Sequence, residues 1–165
     1  MNLAPLLAAP FAIKLQVASV TSAALSGAYM LFAAKGTPLH KALGRVWVAS
    51  MAMTALSSFF IHQINLVLGF SPLHLLSALV LFGLVGAVRA ARRGDIALHR
   101  RIMTQIYASG ILGAGAFAFL PGRLMHEVMF SGSPPVAGFL LAAVALAGFA
   151  IFVARGLLSR SRPLR

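Results

Sequence analysis

Five long apolar runs constrain this chain more than any other feature: Leu15–Ala34, Val46–His62, Leu73–Ala90, Ile102–Leu120 and Val136–Ala154. Each approaches the ~20 residues that a helix needs to cross a hydrocarbon core of about 30 Å. Hydrophobic residues make up 60% of the 165, and mean hydropathy is +0.93. A soluble domain of this length cannot hide so much apolar surface. The expected fold is an all-α integral membrane protein, a five-helix transmembrane bundle spanning residues 15–154. Residues 1–14 are apolar but short and carry Pro5 and Pro10, which predicts an interfacial segment. Residues 155–165 form a basic tail.

Charge orients the bundle. There are 14 Lys and Arg against two acids, Asp95 and Glu127, for a net charge of +12. Such a balance suits nucleic acid or an anionic surface, and the distribution decides between them. Lys35, Lys41 and Arg45 lie in the first connection; Arg89, Arg92, Arg93, Arg100 and Arg101 lie in the third; Arg155, Arg160, Arg162 and Arg165 follow the fifth run. Only Lys14 and Arg123 remain for the opposite side. The positive-inside rule therefore predicts an N-terminus outside and a C-terminus in the cytoplasm. Nucleic acid is not needed to explain the charge, and anionic lipid headgroups at the cytoplasmic face are the expected partners. The first positive charge is Lys14, so the basic stretch of a signal peptide is not evident. With no cysteine, disulfides, thiolate ligands and a cysteine nucleophile are excluded.

The joints between runs share a grammar. Gly36-Thr37-Pro38, Gly69-Phe70-Ser71-Pro72 and Gly94-Asp95 each pair a glycine with a capping residue. Glycine tolerates the left-handed conformation that ends a helix. Thr, Ser or Asp accepts from the free N–H groups of the next one, and proline fits its first position. The motifs TPLH at 37–40, SPLH at 71–74 and GDIALH at 94–99 thus place His40, His74 and His99 in first helical turns. Ser19, Ser22, Ser26, Gly27, Gly83, Gly86, Gly110, Gly113 and Gly115 dot the runs, and such small residues let helices approach closely in lipid.

Topology puts His40 and His99 in a cytoplasmic layer, and His62, His74 and His126 in an outer one. A helix N-terminus disfavours imidazolium, and neutral imidazole is the commonest metal ligand. Two histidines from two helices at one depth suit axial ligation of a haem iron. Three, such as His40, His74 and His99, suit a small metal ion. On one continuous helix His40 and His62 would lie about 40° apart in phase, so one face could serve both layers. Against this stands the plainer reading, in which interfacial histidines simply meet headgroups and water. Arg123 and Glu127, four residues apart, suit a weak surface ion pair; Arg123 alternatively neutralises a haem propionate or a lipid phosphate. Asp95 reads as a cap. No acid lies within a run, and there are no paired carboxylates, no Ser-His-Asp arrangement and no phosphate loop. Hydrolytic and kinase chemistry have no visible machinery, and whether the protein is an enzyme stays open.

The stretches GTPLHKALGRVWVASMAMTALSSFFI, SPLHLLSALVLFGLVGAVRAARRGDIALHRRIM and LPGR resemble a bacterial family of small membrane proteins, domain of unknown function 2306. The resemblance covers about residues 15–130 through LH-x-x-LGR, PLH-x-L, HRR-x-M and PGR. It implies a multi-pass protein of the bacterial inner membrane and carries over His40, His74, His99 and Arg123, without an assigned activity. A looser similarity to the cytochrome b561 and ferric reductase class implies haem b clasped between histidines of neighbouring helices. His40 with His99 suits the cytoplasmic clasp; His74 would need His126 or His62 at the outer one. The leading expectation is transmembrane electron transfer through haem b. The alternatives are a non-catalytic accessory or assembly subunit of a larger membrane complex, and a small copper or zinc site on the outer face.

The charge asymmetry makes a direct prediction. A reporter fused after Arg165 will be active only if it is of the cytoplasmic type; periplasmic activity would reverse every histidine layer.

Overall fold

The computed structural model describes residues 2–61 and 72–131, with scattered helical positions from 136 to 148. Among the described residues the secondary structure is helical throughout: α1 (Ala4–Ala8), α2 (Phe11–Phe32), α3 (Pro38–Ser58), α4 (Pro72–Arg92), α5 (Ile96–Tyr107), a π-helical turn (Ala108–Gly113), α6 (Ala114–Ala118) and α7 (Leu124–Phe130). The chain forms two compact units. One is Ala8–Tyr107; the other joins Met1–Leu7 to Ala108–Arg165. By length and composition, α2 and residues Leu73–Arg92 of α4 are apolar enough to cross a membrane. α3 is less apolar.

The helix starts follow their caps. Gly36 has φ 79° and ends the turn after α2. Thr37 then takes an extended conformation, and its hydroxyl accepts the His40 N–H at 3.1 Å. Pro38 needs no hydrogen-bond acceptor at the first helical position. Gly94 has φ 81°, and Asp95 Oδ1 accepts the Leu98 N–H at 3.0 Å. Pro72 opens α4 as expected, whereas Gly69, Phe70 and Ser71 lie outside the described residues. A further joint shares only the glycine: Gly122 has φ 79° and immediately precedes Arg123, which occupies the N-cap position of α7 without a side-chain capping bond.

In the unit Ala8–Tyr107, α2 packs on α3, α3 on α4 and α4 on α5. The seams are built from missing side chains. A Cβ on Gly83 would sit 3.0 Å from Ile106 Cδ1, and one on Gly86 would sit 3.8 Å from Ile102 Cδ1. α5 therefore nests its isoleucines into a glycine-lined α4. The tightest approach is at Gly27 of α2. A Cβ there would lie 2.6 Å from Trp47 Nε1 and would overlap the Tyr107 ring. Trp47 from α3 is 2% exposed, and the Tyr107 hydroxyl donates to the Ala24 carbonyl at 3.2 Å. Three helices thus meet in one knot. Hydroxyls add cross-links: Ser50 to Ser22 at 3.1 Å and Ser58 to Ser77 at 2.6 Å.

Two expectations change. α3 ends at Ser58, so it does not carry His62, and no single helical face joins His40 to His62; His62 itself lies outside the described residues. The fourth apolar run is not one regular helix. α5 begins earlier than Ile102, at Ile96, and the run continues as the π turn and the short α6. The π turn contains Gly110 and ends at Gly113, and glycines weaken the preference for regular α geometry. Of the fifth run, the described positions are helical; the rest lies outside the described residues.

The knot predicts an asymmetry between glycines. Gly27→Ala will lower stability by roughly 1–3 kcal/mol, the usual cost of overpacking, although alanine favours a helix. Gly86→Ala, where the new methyl makes ordinary contact, will be neutral or stabilising. Thermal unfolding in detergent compares them, and equal effects would dissolve the knot as a determinant.

Candidate functional site

Two histidines share one end of the unit Ala8–Tyr107. His40 lies three residues after its cap Thr37, and His99 lies four after Asp95, whose carbonyl accepts the His99 N–H at 3.0 Å. Because α2 runs into α3 through the turn at Gly36, and α4 into α5 through the turn at Gly94, both starts fall at the same end.

His99 is oriented by the backbone. Its Nδ1 lies 2.9 Å from the Ala87 carbonyl. A carbonyl only accepts, so Nδ1 carries a proton, and in the neutral ring the lone pair is on Nε2. This is the arrangement metal-binding histidines use, in which the second nitrogen's bond fixes tautomer and ring angle. His40 is different: its Nδ1 is buried and has no hydrogen-bond partner among the described residues. Such an atom costs about 1–3 kcal/mol when left unmatched. Burial pushes the His40 pKa below its ordinary value of 6.5, and the charges of nearby His99 and Lys35 push it the same way. The imidazole is therefore neutral at pH 7 and able to donate a lone pair. One turn further along α3, a Cβ on Gly44 would meet nothing within 4 Å. Gly44 lies on the same helical face as His40 and the buried Trp47, at spacings of four and seven residues. Open space thus adjoins the His40 face of α3, and Trp47 and Tyr107 lie about two turns further along their helices than His40 and His99.

His74 has another environment. It is 5% exposed, its Nε2 lies 3.2 Å from the Ser58 carbonyl, and its ring stacks on Phe59 with centroids 5.6 Å apart at 9°. It stitches the start of α4 to the end of α3. Ser58 is 18 residues beyond His40 in the sequence, roughly 27 Å of helix. His40, His74 and His99 therefore do not converge, and no cluster of three or more metal-ligating side chains occurs among the described residues.

His126 and Arg123 belong to the other unit. His126 Nδ1 lies 3.2 Å from the Phe119 carbonyl, and its ring centroid is 5.3 Å from that of Phe130. In the neutral ring its lone pair is likewise on Nε2. Arg123 does not pair with Glu127; its guanidinium lies 4.4 Å above the Phe117 ring. Asp95 is the cap that its position predicted.

Sequence reasoning missed three features of these surroundings. Tyr107 carries no motif, although it follows His99 by two helical turns as Trp47 follows His40. The Ala87 carbonyl leaves no mark in a sequence. Ser58, the partner of His74, reads only as one more small residue.

The family model described as predicted membrane protein, DUF2306, matches residues 13–154. The chain belongs to this family. No curated protein and no solved structure matches it.

The His40 environment sets a pH dependence. Its folded pKa lies below the unfolded value of 6.5. Below about 6.5 the unfolded chain takes up the proton more readily, so stability falls on acidification and levels off once the folded pKa is passed. His40→Gln will therefore lose less stability than the wild type between about pH 8 and pH 5, as followed by thermal unfolding. Identical pH profiles would contradict the assignment.

Proposed function

We propose that this protein is a multi-pass protein of the bacterial inner membrane, with a five-helix bundle, an outside N-terminus and a cytoplasmic C-terminus, that binds haem b between His40 and His99 and carries electrons. What supports the reading is that two imidazoles lie near each other at one end of the unit Ala8–Tyr107, His99 with its Nδ1 tied to the Ala87 carbonyl and His40 with a buried Nδ1 unmatched among the described residues. The donor set fits a haem iron, which takes two axial imidazoles, better than an ion needing three or four protein ligands. The gap at Gly44 supplies space where a side chain would obstruct a flat macrocycle. A bound haem would supply one-electron chemistry. The chain would fix the ligand geometry through Ala87 and keep the His40 imidazole neutral, chiefly by burial.

His74 and His126 are weaker candidates, each within its own unit. His126 keeps a lone-pair nitrogen, but the Nε2 of His74 is engaged by Ser58. Arg123 remains a candidate for a propionate or a lipid phosphate. The same imidazoles could take copper or zinc instead.

A second reading has its own support. Among the 22 residues of α2 only Ala23 and Gly27 are buried, which leaves a long apolar face suited to neighbouring subunits. A non-catalytic accessory or assembly subunit would use it.

Visible spectra of the purified protein, oxidised and dithionite-reduced after haem-replete expression, separate these readings. The wild type will show low-spin haem b. His40→Ala and His99→Ala will each lose the signal or convert it to high spin, and His126→Ala will leave this site intact. A colourless wild type, or unchanged spectra in both His40→Ala and His99→Ala, would eliminate the haem reading. The accessory-subunit reading would then lead, and gentle extraction should recover the protein in a larger assembly.

A further inference from the structure

Eight cations gather at one end of the unit Ala8–Tyr107, and five of them sit within helices away from the Arg92–Arg93 turn. Lys41 and Arg45 on α3, Arg89 on α4, and Arg100 and Arg101 on α5 are all exposed. None has a carboxylate partner among the described residues; Asp95, the acid nearest in sequence, uses its Oδ1 to cap α5. Lys35 stands apart, because its ammonium donates to the Leu31 and Ala33 carbonyls at 2.9 and 2.7 Å and so caps α2.

Helical phase says where the five project. At about 100° per residue, Arg45 lies roughly 160° around α3 from Trp47, and Lys41 about 120°. Arg89 lies about 160° around α4 from the buried Ala87, and Arg100 and Arg101 about 120° and 140° around α5 from the buried Ile106. All five leave the outward sides of their helices. They form a girdle around the bundle's rim rather than a cap over its end. A soluble acidic partner would need a cap. A girdle of long cationic side chains, with aliphatic stems lying along apolar helix surface, meets the phosphate level of a bilayer.

We infer that this rim is a binding surface for anionic phospholipid headgroups, formed by Lys41, Arg45, Arg89, Arg100 and Arg101 on three helices. The inference does not require a cofactor between His40 and His99. Lipids held there would lie beside both histidines, since Lys41 adjoins His40 and Arg100 adjoins His99 in sequence.

Trp47, the single tryptophan, provides the readout. The protein in mixed micelles is titrated with pyrene-labelled phosphatidylglycerol or pyrene-labelled phosphatidylcholine, and energy transfer from Trp47 is measured. Phosphatidylglycerol will be preferred at low salt, and the preference will shrink in high salt as charges are screened. Each cation near a membrane surface contributes about fivefold in affinity. The variant combining Lys41→Gln, Arg45→Gln, Arg100→Gln and Arg101→Gln should therefore lose the preference by at least ~10-fold. Its transfer from phosphatidylcholine will stay unchanged, which reports an intact bundle. Equal transfer from both lipids in the wild type would overturn the inference, as would an undiminished preference in the variant. Displacement of phosphatidylglycerol by millimolar inorganic phosphate would make this a free-anion site instead. Displacement by soluble polyglutamate would assign it to an acidic protein.

Discussion

The bundle of α2, α3 and α5 depends on an absent side chain. Because Gly27 has no Cβ, Trp47 and Tyr107 can close against α2, and any side chain there would collide with both rings. In lipid the hydrophobic effect gives helices no reason to associate, since acyl chains are as apolar as the side chains they would exchange for. Close van der Waals packing and the few available hydrogen bonds must do that work. The knot supplies both: ring against backbone, and the Tyr107 hydroxyl on the Ala24 carbonyl. Its depth also matters to the site. Trp47 and Tyr107 lie about two turns further along their helices than His40 and His99, so the closest helix approach sits directly below the end that carries both histidines.

Polar groups in such a bundle are used sparingly and almost always paired. Thr21, Ser26 and Thr54 return their hydroxyls to carbonyls four residues earlier, a local solution that costs nothing in packing. Ser22 with Ser50 and Ser58 with Ser77 instead bond across helices. Against that background two buried atoms among the described residues stand out as unmatched, His40 Nδ1 and Trp47 Nε1. The indole N–H is pressed against Gly27 by packing, so its loss is the counterpart of the close approach. His40 has no such explanation. It lies in a half-exposed first turn, beside open space at Gly44, where an unmatched nitrogen is simple to avoid and is kept nonetheless.

What the sequence made legible was local. A cap, a left-handed glycine and a first-position proline act within four residues, so the starts of α3 and α5 follow from Gly36-Thr37-Pro38 and Gly94-Asp95 directly. Small residues at helical spacing announced close seams, and Gly27, Gly83 and Gly86 form them. The rest is tertiary. That His99 would turn its Nδ1 to Ala87, 12 residues away, depends on how α5 folds back on α4. The π turn was hidden because hydropathy is blind to hydrogen-bond register: Ile102–Leu120 is apolar throughout whether the helix is regular or not. The end of α3 at Ser58 was hidden for the same reason, since Phe59, Phe60 and Ile61 continue the apolar run past the last helical residue.

The repeated motif shows the limit most clearly. TPLH and SPLH place His40 and His74 at equivalent points of two helix starts, and the local physics of cap, proline and dipole treats them alike. Their neighbours do not. α4 begins where α3 ends, so His74 meets the Ser58 carbonyl, which also accepts the Ile61 N–H, together with the Phe59 ring, and becomes a buried tie between two elements. α3 begins at the end where α2 and α4 finish, and there Lys35 takes the Leu31 and Ala33 carbonyls and His99 takes that of Ala87. His40 Nδ1 is left without a partner among the described residues. One motif gives a structural histidine and a candidate ligand, and the difference lies in which neighbouring acceptors reach each ring, not in the local physics of the helix start.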